Sequence, residues 1–434
     1  MKITKSNIWS FIIFFATNSI VVFDCLIIQM MLSVMKYNGG YDFLQALKIT
    51  QQMWLQTYAV FLPLIFSHAL IWTLALNTLF GNIIEECNRE YGEDDQKLKE
   101  YIRKHTSFLK GGDRKMFGIR KPKPSAVAGG IIGFVSGDAA GVPFEFKTKE
   151  EIKESKTVPD LIYKGYGSHF RPAGTWSDDS SMTLCLMQSI IDKDGEVDLE
   201  DIMDKFIDWV FHANYTASGR VFDIGQTCSF AIQARNLGLP ISMCAKSDEK
   251  HNGNGGLMRV LPLAYLPVSD EKLRQYTYDV SGLTHGHIVS KICSAVYVMV
   301  ARELIKGERD KFKAVIRGYE RGIAANPQEA DAALSREFPK IYLPVPDKIH
   351  ADSYVVHSLT AALWAFLHAN SYMNCIVKAI ELGDDTDTTA AIAGGLAGIY
   401  YGYSGIPKTL VDGLARKEYL LDMIKGFEKT IQKT

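Results

Sequence analysis

Gly383-Asp384-Asp385-Thr386-Asp387-Thr388-Thr389 runs directly into Ala390-Ala391-Ile392-Ala393-Gly394-Gly395-Leu396, and this junction decides the fold. The small-residue run lacks the strict alternation of an exposed strand and reads as a closely packed helix. The acidic head sits where that helix begins. Asp and Thr there can cap the helix and suit the positive end of its dipole. Clustered carboxylates also repel one another, and a hard divalent cation compensates that repulsion well. The stretch by itself leaves capping and metal binding open.

A second stretch repeats the design. Gly174-Thr175-Trp176-Ser177-Asp178-Asp179-Ser180 again sets hydroxyls beside paired carboxylates, just ahead of an apolar helix over 184–191. Two oxygen-only clusters suggest one site between two helix starts. Oxygen ligation favours magnesium, with manganese as the second choice. Two ions roughly 3.5–4 Å apart would clamp oxygens on both sides of a scissile bond.

Three further stretches carry polar chemistry. Gly137-Asp138-Ala139-Ala140-Gly141-Val142-Pro143-Phe144-Glu145-Phe146 forms a loop after a small-residue helix. Glu145 lies between two phenylalanines, where desolvation raises a carboxyl toward general-acid use; a surface glutamate is the plainer reading. Asn252-Gly253-Asn254-Gly255-Gly256-Leu257-Met258-Arg259 is glycine-rich, which permits close backbone approach to a phosphate-bearing ligand but is common in turns. Thr284-His285-Gly286-His287 lacks further ligands at zinc spacing, so hydrogen-bonded loop histidines are expected there.

In this order, GDAAGVPFEF, GTWSDDSSM, FDIGQT, NGNGGLMRV, LTHGH, SYVVHSLTAALWAF and GDDTDTTAAIAGGLAGIYYG resemble the ADP-ribosylglycohydrolase family, which includes dinitrogenase-reductase-activating glycohydrolase. The likeness covers residues 125–403. It implies an all-α domain around a binuclear magnesium centre. It implies metal contacts from Ser177, Asp178 and Asp179 and from Asp385, Asp387 and Thr388. It puts Glu145 where some members carry a catalytic glutamate and Asp223 near the bound ribose. Asn254, Gly255, Gly256, Met258 and His285 fall in loops that surround ADP-ribose in relatives. Two departures stand out. Ser177 replaces the usual threonine and keeps the hydroxyl, and Asp384 replaces a common glycine and adds charge. No expected ligand is lost, so the resemblance implies an active hydrolase of the glycosidic bond to ADP-ribose. Glu145 or Asp179 would handle the proton.

The rest of the chain frames this site. Helices are expected over 199–213, 288–305, 360–367 and 390–401, with one short strand over 342–345. The small-residue stretches 126–141 and 390–398 are too short for membrane spans and read as closely packed core helices. A net charge of −1 gives no nucleic-acid footprint, and no sequence-specific nucleic-acid binding is expected. The seven cysteines are scattered, without a CxxC pair, which argues against a disulfide framework or zinc–thiolate site and for a reducing compartment.

The N-terminus differs in character. Two apolar runs, 8–34 and 54–80, each exceed the roughly 20 residues that a bilayer span requires. The expected organisation is a transmembrane hairpin in 1–84, a basic, polar linker in 85–123 and the hydrolase domain in 124–434. Lys2, Lys5 and the basic stretch 97–123 place both termini in the cytoplasm by the positive-inside rule. Polar residues in the spans, Asp24 and His68 among them, face each other or a partner copy, so a homo-oligomer through these helices is consistent. The expected partners are the lipid bilayer and an ADP-ribosylated protein or other acceptor. Two rival readings are a membrane-tethered ADP-ribose sensor without turnover and the regulatory domain of a transport component.

Overall fold

A computed structural model describes residues 124–155 and 163–433. The two apolar runs and the linker lie outside the described residues, as do the topology and oligomer expectations that rest on them. The described residues form helices α1 (Pro124–Gly141), α2 (Lys149–Ser155), α3 (Asp178–Asp192), α4 (Leu199–His212), α5 (Gln226–Asn236), α6 (Asp270–Gly282) and α7 (Ile288–Ile305). They continue with α8 (Lys311–Ile323), α9 (Pro327–Leu334), α10 (Val355–Leu367), α11 (Tyr372–Ile380), α12 (Thr386–Tyr401), α13 (Lys408–Gly413) and α14 (Lys417–Lys433). Short 3-10 turns link several of them, and only isolated β-bridges interrupt the all-α architecture among these residues.

The strand expected over 342–345 is a correction. Phe338–Tyr342 and Pro346–Lys348 are 3-10 turns, with irregular chain between them. Pro339, Pro344 and Pro346 remove the N–H donors that a ladder needs. The carbonyl of Leu343 instead accepts from Trp364 Nε1 at 2.9 Å.

The axis of the domain is the pair α1 and α12. Glycines recur every fourth residue along one face of α1, at 129, 133, 137 and 141. A methyl group at these positions would strike, in turn, the Gly398 carbonyl at 2.4 Å, the Gly394 carbonyl at 2.5 Å, the Ala390 carbonyl at 2.1 Å and Asp387 Cα at 2.4 Å. The partners descend as the glycines ascend, so the helices are antiparallel and touch backbone to backbone. Each interior glycine costs roughly 1 kcal/mol of helix propensity against alanine, offset by this contact. The consequence is positional: the C-terminal end of α1, with Glu145 just beyond, abuts the acidic start of α12. α1 together with its following turn, Ala126–Phe144, is the one segment among the described residues long and apolar enough to cross a bilayer, and it is packed inside the domain. This agrees with the reading of that stretch as a core helix.

Candidate functional site

The two acidic clusters meet. Both are first turns of helices, α3 and α12, and both are buried: Asp178, Asp179, Asp387 and Thr388 are each 6% exposed or less. The link between them is direct. Thr388 Oγ1 donates to Asp179 Oδ2 at 3.2 Å, and Ser177 Oγ donates to the same oxygen at 3.0 Å. Ser177 is the N-cap of α3, so the serine at this position keeps the hydroxyl contact. Asp385 Oδ2 accepts from Asn254 Nδ2 at 2.8 Å, which ties the glycine-rich loop to the second cluster.

Three oxygens in this group have no hydrogen-bond partner although they are buried: Asp179 Oδ1, Asp385 Oδ1 and Asp387 Oδ2. A buried carboxylate oxygen without a donor is costly, and several in one place call for an outside positive charge. The spacing suits one. Ligand oxygens of Asp138, Asp179 and Asp387 lie within 4.8 Å of one another, as do those of Glu145, Asp385 and Asp387. The donor set is oxygen only, and the two helix N-termini add the partial positive charge that tolerates carboxylates.

The electrostatics agree. Burial first, then neighbouring carboxylates, push Asp178, Asp179 and Asp387 well above the ordinary carboxyl range. Burial raises Asp385 too, against the opposing hydrogen bond from Asn254. Glu145 is pushed up to about 11 by burial and then by the charges of Asp223 and Asp385. The desolvation expected of Glu145 is therefore present, and the surface reading of this residue does not hold at 6% exposure. Divalent cations at this position would reverse the balance by favouring ionised carboxylates.

Asp223 joins Glu145. Its carboxylate oxygen lies within 4.8 Å of one on Glu145, its backbone is left-handed (φ 61°), and burial raises its carboxyl while His169 lowers it. Left-handed non-glycine residues are uncommon and cost about 1–3 kcal/mol each, and such strain gathers at functional sites. Phe146 (φ 65°), Phe170 (φ 53°), Asp223 and Asp384 (φ 57°) all sit in or beside the segments that carry Glu145, His169 and Asp385. Asp384 thus occupies a backbone conformation that favours glycine. Its side chain points outward, while its backbone N–H donates to Lys147 O at 2.8 Å and its carbonyl accepts from Phe146 N at 2.7 Å.

The glycine-rich loop is organised from below. Arg259 is fully buried and donates to the carbonyls of Gly255 (2.7 Å), Val280 (2.9 Å) and Ser281 (3.2 Å) and to Thr284 Oγ1 (2.8 Å). A methyl at Gly255 would lie 2.7 Å from Cys228 Sγ, and one at Gly256 would lie 2.5 Å from Ser281 Oγ. These glycines allow close packing of loop against core. Met258 is buried, and its carbonyl accepts from Thr183 Oγ1 at 3.4 Å. His285 is buried with Nδ1 on Thr284 Oγ1 at 2.8 Å, the hydrogen-bonded loop histidine expected.

Two residues of the site escaped the sequence reading. Asp138 lies within a quoted motif but had no role assigned. Its carboxylate accepts from Ser177 N at 2.9 Å and from Ser180 N at 3.1 Å, so α1 caps the start of α3. Burial raises Asp138 to about 7 despite these bonds. His169 lies in no recognisable motif, and it hydrogen-bonds Glu145 Oε2 through Nε2. Neither has a local spacing signal, because each partner is more than 20 residues away.

Residues 120–434 match the family model described as ADP-ribosylglycohydrolase. The chain is 28% identical over 299 residues to the ADP-ribosylarginine hydrolase Tri1 of Serratia proteamaculans, covering 68% of this chain and 76% of that one. It is 28% identical over 290 residues to the ADP-ribosyl-[dinitrogen reductase] glycohydrolase of Rhodospirillum rubrum, covering 67% and 90%. A solved structure described as an ADP-ribosylglycohydrolase-related protein complex superposes with a TM-score of 0.56 at 27% identity, covering 71% of this chain and 98% of that one.

Proposed function

The chain belongs to the ADP-ribosylglycohydrolase family, and from that premise we propose a membrane-anchored, magnesium-dependent hydrolase that cleaves the glycosidic bond between ADP-ribose and a protein side chain. The observation that carries the metal-dependent chemistry is the trio of buried, partnerless oxygens on Asp179, Asp385 and Asp387, all at one junction. Ser177, Asp178, Asp179, Asp385, Asp387 and Thr388 would hold two magnesium ions, with manganese as a substitute. Bound there, the ions would hold ribose hydroxyls and lower the pKa of an attacking water.

The chain's own residues do the rest. Asp223 and Asn254 flank the carboxylates and orient the ribose. Gly255, Gly256, Met258 and His285 shape and support the loop that receives the nucleotide. Glu145 is the proton-handling group, protonating the leaving acceptor or taking the proton of the attacking water. Asp179, bound to both the Ser177 and Thr388 hydroxyls, is the second candidate for that transfer.

The acceptor is taken as arginine first, because two relatives are named for ADP-ribosylarginine. Residues 8–34 and 54–80 would anchor the enzyme as a hairpin, with the catalytic domain in the cytoplasm near its targets. A homo-oligomer through the hairpin fits its polar residues. The sensor reading is disfavoured because the full acidic set is in place. The test is a hydrolysis panel of proteins ADP-ribosylated on arginine or serine, and of ADP-ribosylated nucleic-acid ends. Release of ADP-ribose from the arginine substrate supports the proposal. Tight ADP-ribose binding with no release from any substrate would favour the sensor.

A further inference from the structure

One imidazole among the described residues faces the proton-handling carboxyl yet belongs to neither acidic cluster. His169 Nε2 hydrogen-bonds Glu145 Oε2 and lies 3.7 Å from Asp223 Oδ1. Its ring contacts those of Phe146 (centroids 5.6 Å apart) and Phe222 (5.4 Å). Phe222 is held on its own account by the Arg171 guanidinium, 4.5 Å from its centroid. The imidazole therefore has two aromatic neighbours, both tilted against its ring.

The segment that delivers His169 is docked on the Glu145 loop at several points. Ser168 Oγ donates to the Glu145 carbonyl, and Ser168 N donates to the Pro143 carbonyl at 3.3 Å. Tyr166 bridges Arg171 to close the turn, and both Tyr166 (φ 75°) and Phe170 (φ 53°) are left-handed. A methyl at Gly167 would lie 2.2 Å from the Pro143 carbonyl, so this turn meets the Glu145 loop backbone to backbone. Strained backbone persists only where the surroundings impose it, and here all of it converges on presenting one side chain to Glu145.

We propose that His169 is a positioning residue: its Nε2–H holds the Glu145 carboxyl group beside Asp223, in the one orientation from which the proton can be transferred. A glutamate side chain has several rotatable bonds, and catalysis needs one arrangement of them. Asp223 alone does not supply that restraint, because it presents a second acidic group and repels the ionised form of Glu145. The inference rests on the hydrolase reading of the same site.

The test uses the full chain with His169→Ala, His169→Gln and Glu145→Gln, singly and combined. Gln carries an amide N–H near the position of Nε2 and preserves the donor. His169→Ala is expected to lower kcat roughly 10–100-fold, the cost of a misplaced catalytic group, while KM and ADP-ribose affinity by calorimetry stay within about threefold. His169→Gln should recover much of the rate. On the Glu145→Gln background, His169→Ala should change kcat little, because it acts through Glu145. Wild-type kcat in His169→Ala, equal losses in rate and affinity, or fully additive losses in the double variant would each overturn the proposal. Crystal structures of wild type and His169→Ala keep it separate from the hydrolase reading. An unmoved Glu145 carboxyl overturns the positioning role, whereas a wild-type chain that binds ADP-ribose and hydrolyses nothing overturns the hydrolase reading instead.

Discussion

Gly141→Ala tests whether backbone contact between α1 and α12 sets the site. The new methyl would lie 2.4 Å from Asp387 Cα and 2.5 Å from the Thr386 carbonyl, and ordinary contact begins at 3.4 Å. The start of α12 must therefore retreat by 3.4 − 2.4, about 1 Å. Overpacking of this kind costs about 1–3 kcal/mol, of which the better helix propensity of alanine returns about 1 kcal/mol. The catalytic cost is larger in proportion, since a 1 Å misplacement in a reacting constellation loses about 100-fold in rate. Gly129→Ala is the control. Its methyl meets the Gly398 carbonyl at the same 2.4 Å, twelve residues away and about 18 Å along the helix. Urea unfolding should show similar destabilisation in both variants. Release of ADP-ribose should fall about 100-fold in Gly141→Ala and stay within about twofold of wild type in Gly129→Ala. Wild-type turnover in Gly141→Ala, or an equal loss in Gly129→Ala, would refute the claim that this contact places Asp387.

Further outcomes follow from individual residues. Glu145→Gln should slow single-turnover hydrolysis by about 100-fold or more and leave ADP-ribose affinity nearly unchanged by calorimetry; no loss of rate would move the proton transfer to Asp179 or another carboxylate. Burial, then Arg259 and His251, pull the buried His285 imidazole down to about 3, so it folds neutral. Unfolded, it titrates near 6.5, so the stability it contributes is full above pH 6.5 and is lost as pH falls from there toward 3. His285→Asn should flatten that limb of a plot of melting temperature against pH, and an unchanged slope would show that other groups carry it. For the membrane proposal, a thiol reagent that cannot cross the bilayer should label Asn38→Cys and spare Gln432→Cys in intact cells. The opposite pattern overturns the cytoplasmic placement.

The sequence was most informative where function and local geometry coincide. The clusters at Ser177–Asp179 and Asp385–Thr388 are legible because a helix start and neighbouring carboxylates are both local patterns, and α7 (Ile288–Ile305, 18 residues) is legible because its apolar residues are dense and lack strict alternation. Asp138 and His169 were invisible as actors because their partners are distant in the chain. The glycines at 255 and 256 suggest close approach to a ligand, whereas the neighbours that crowd them are Cys228 and Ser281, distant in the chain and marked by no local spacing. The apolar character of 342–345 suggests a strand, yet Pro344 within it and Pro346 just after it deny it a ladder. The glycine spacing in α1 holds a further signal: a four-residue repeat predicts a contact face, and its partner is the helix that bears the second acidic cluster.

The most direct test of the central claim is the release of ADP-ribose by the full chain from an ADP-ribosylarginine protein, stripped with chelator and then titrated with magnesium. The carboxylates at the starts of α3 and α12 predict near-zero release after stripping, recovery with magnesium or manganese, and no recovery in Asp387→Ala that keeps wild-type helicity. Full activity in excess chelator, or wild-type turnover in Asp387→Ala, would contradict it and reduce both clusters to helix caps.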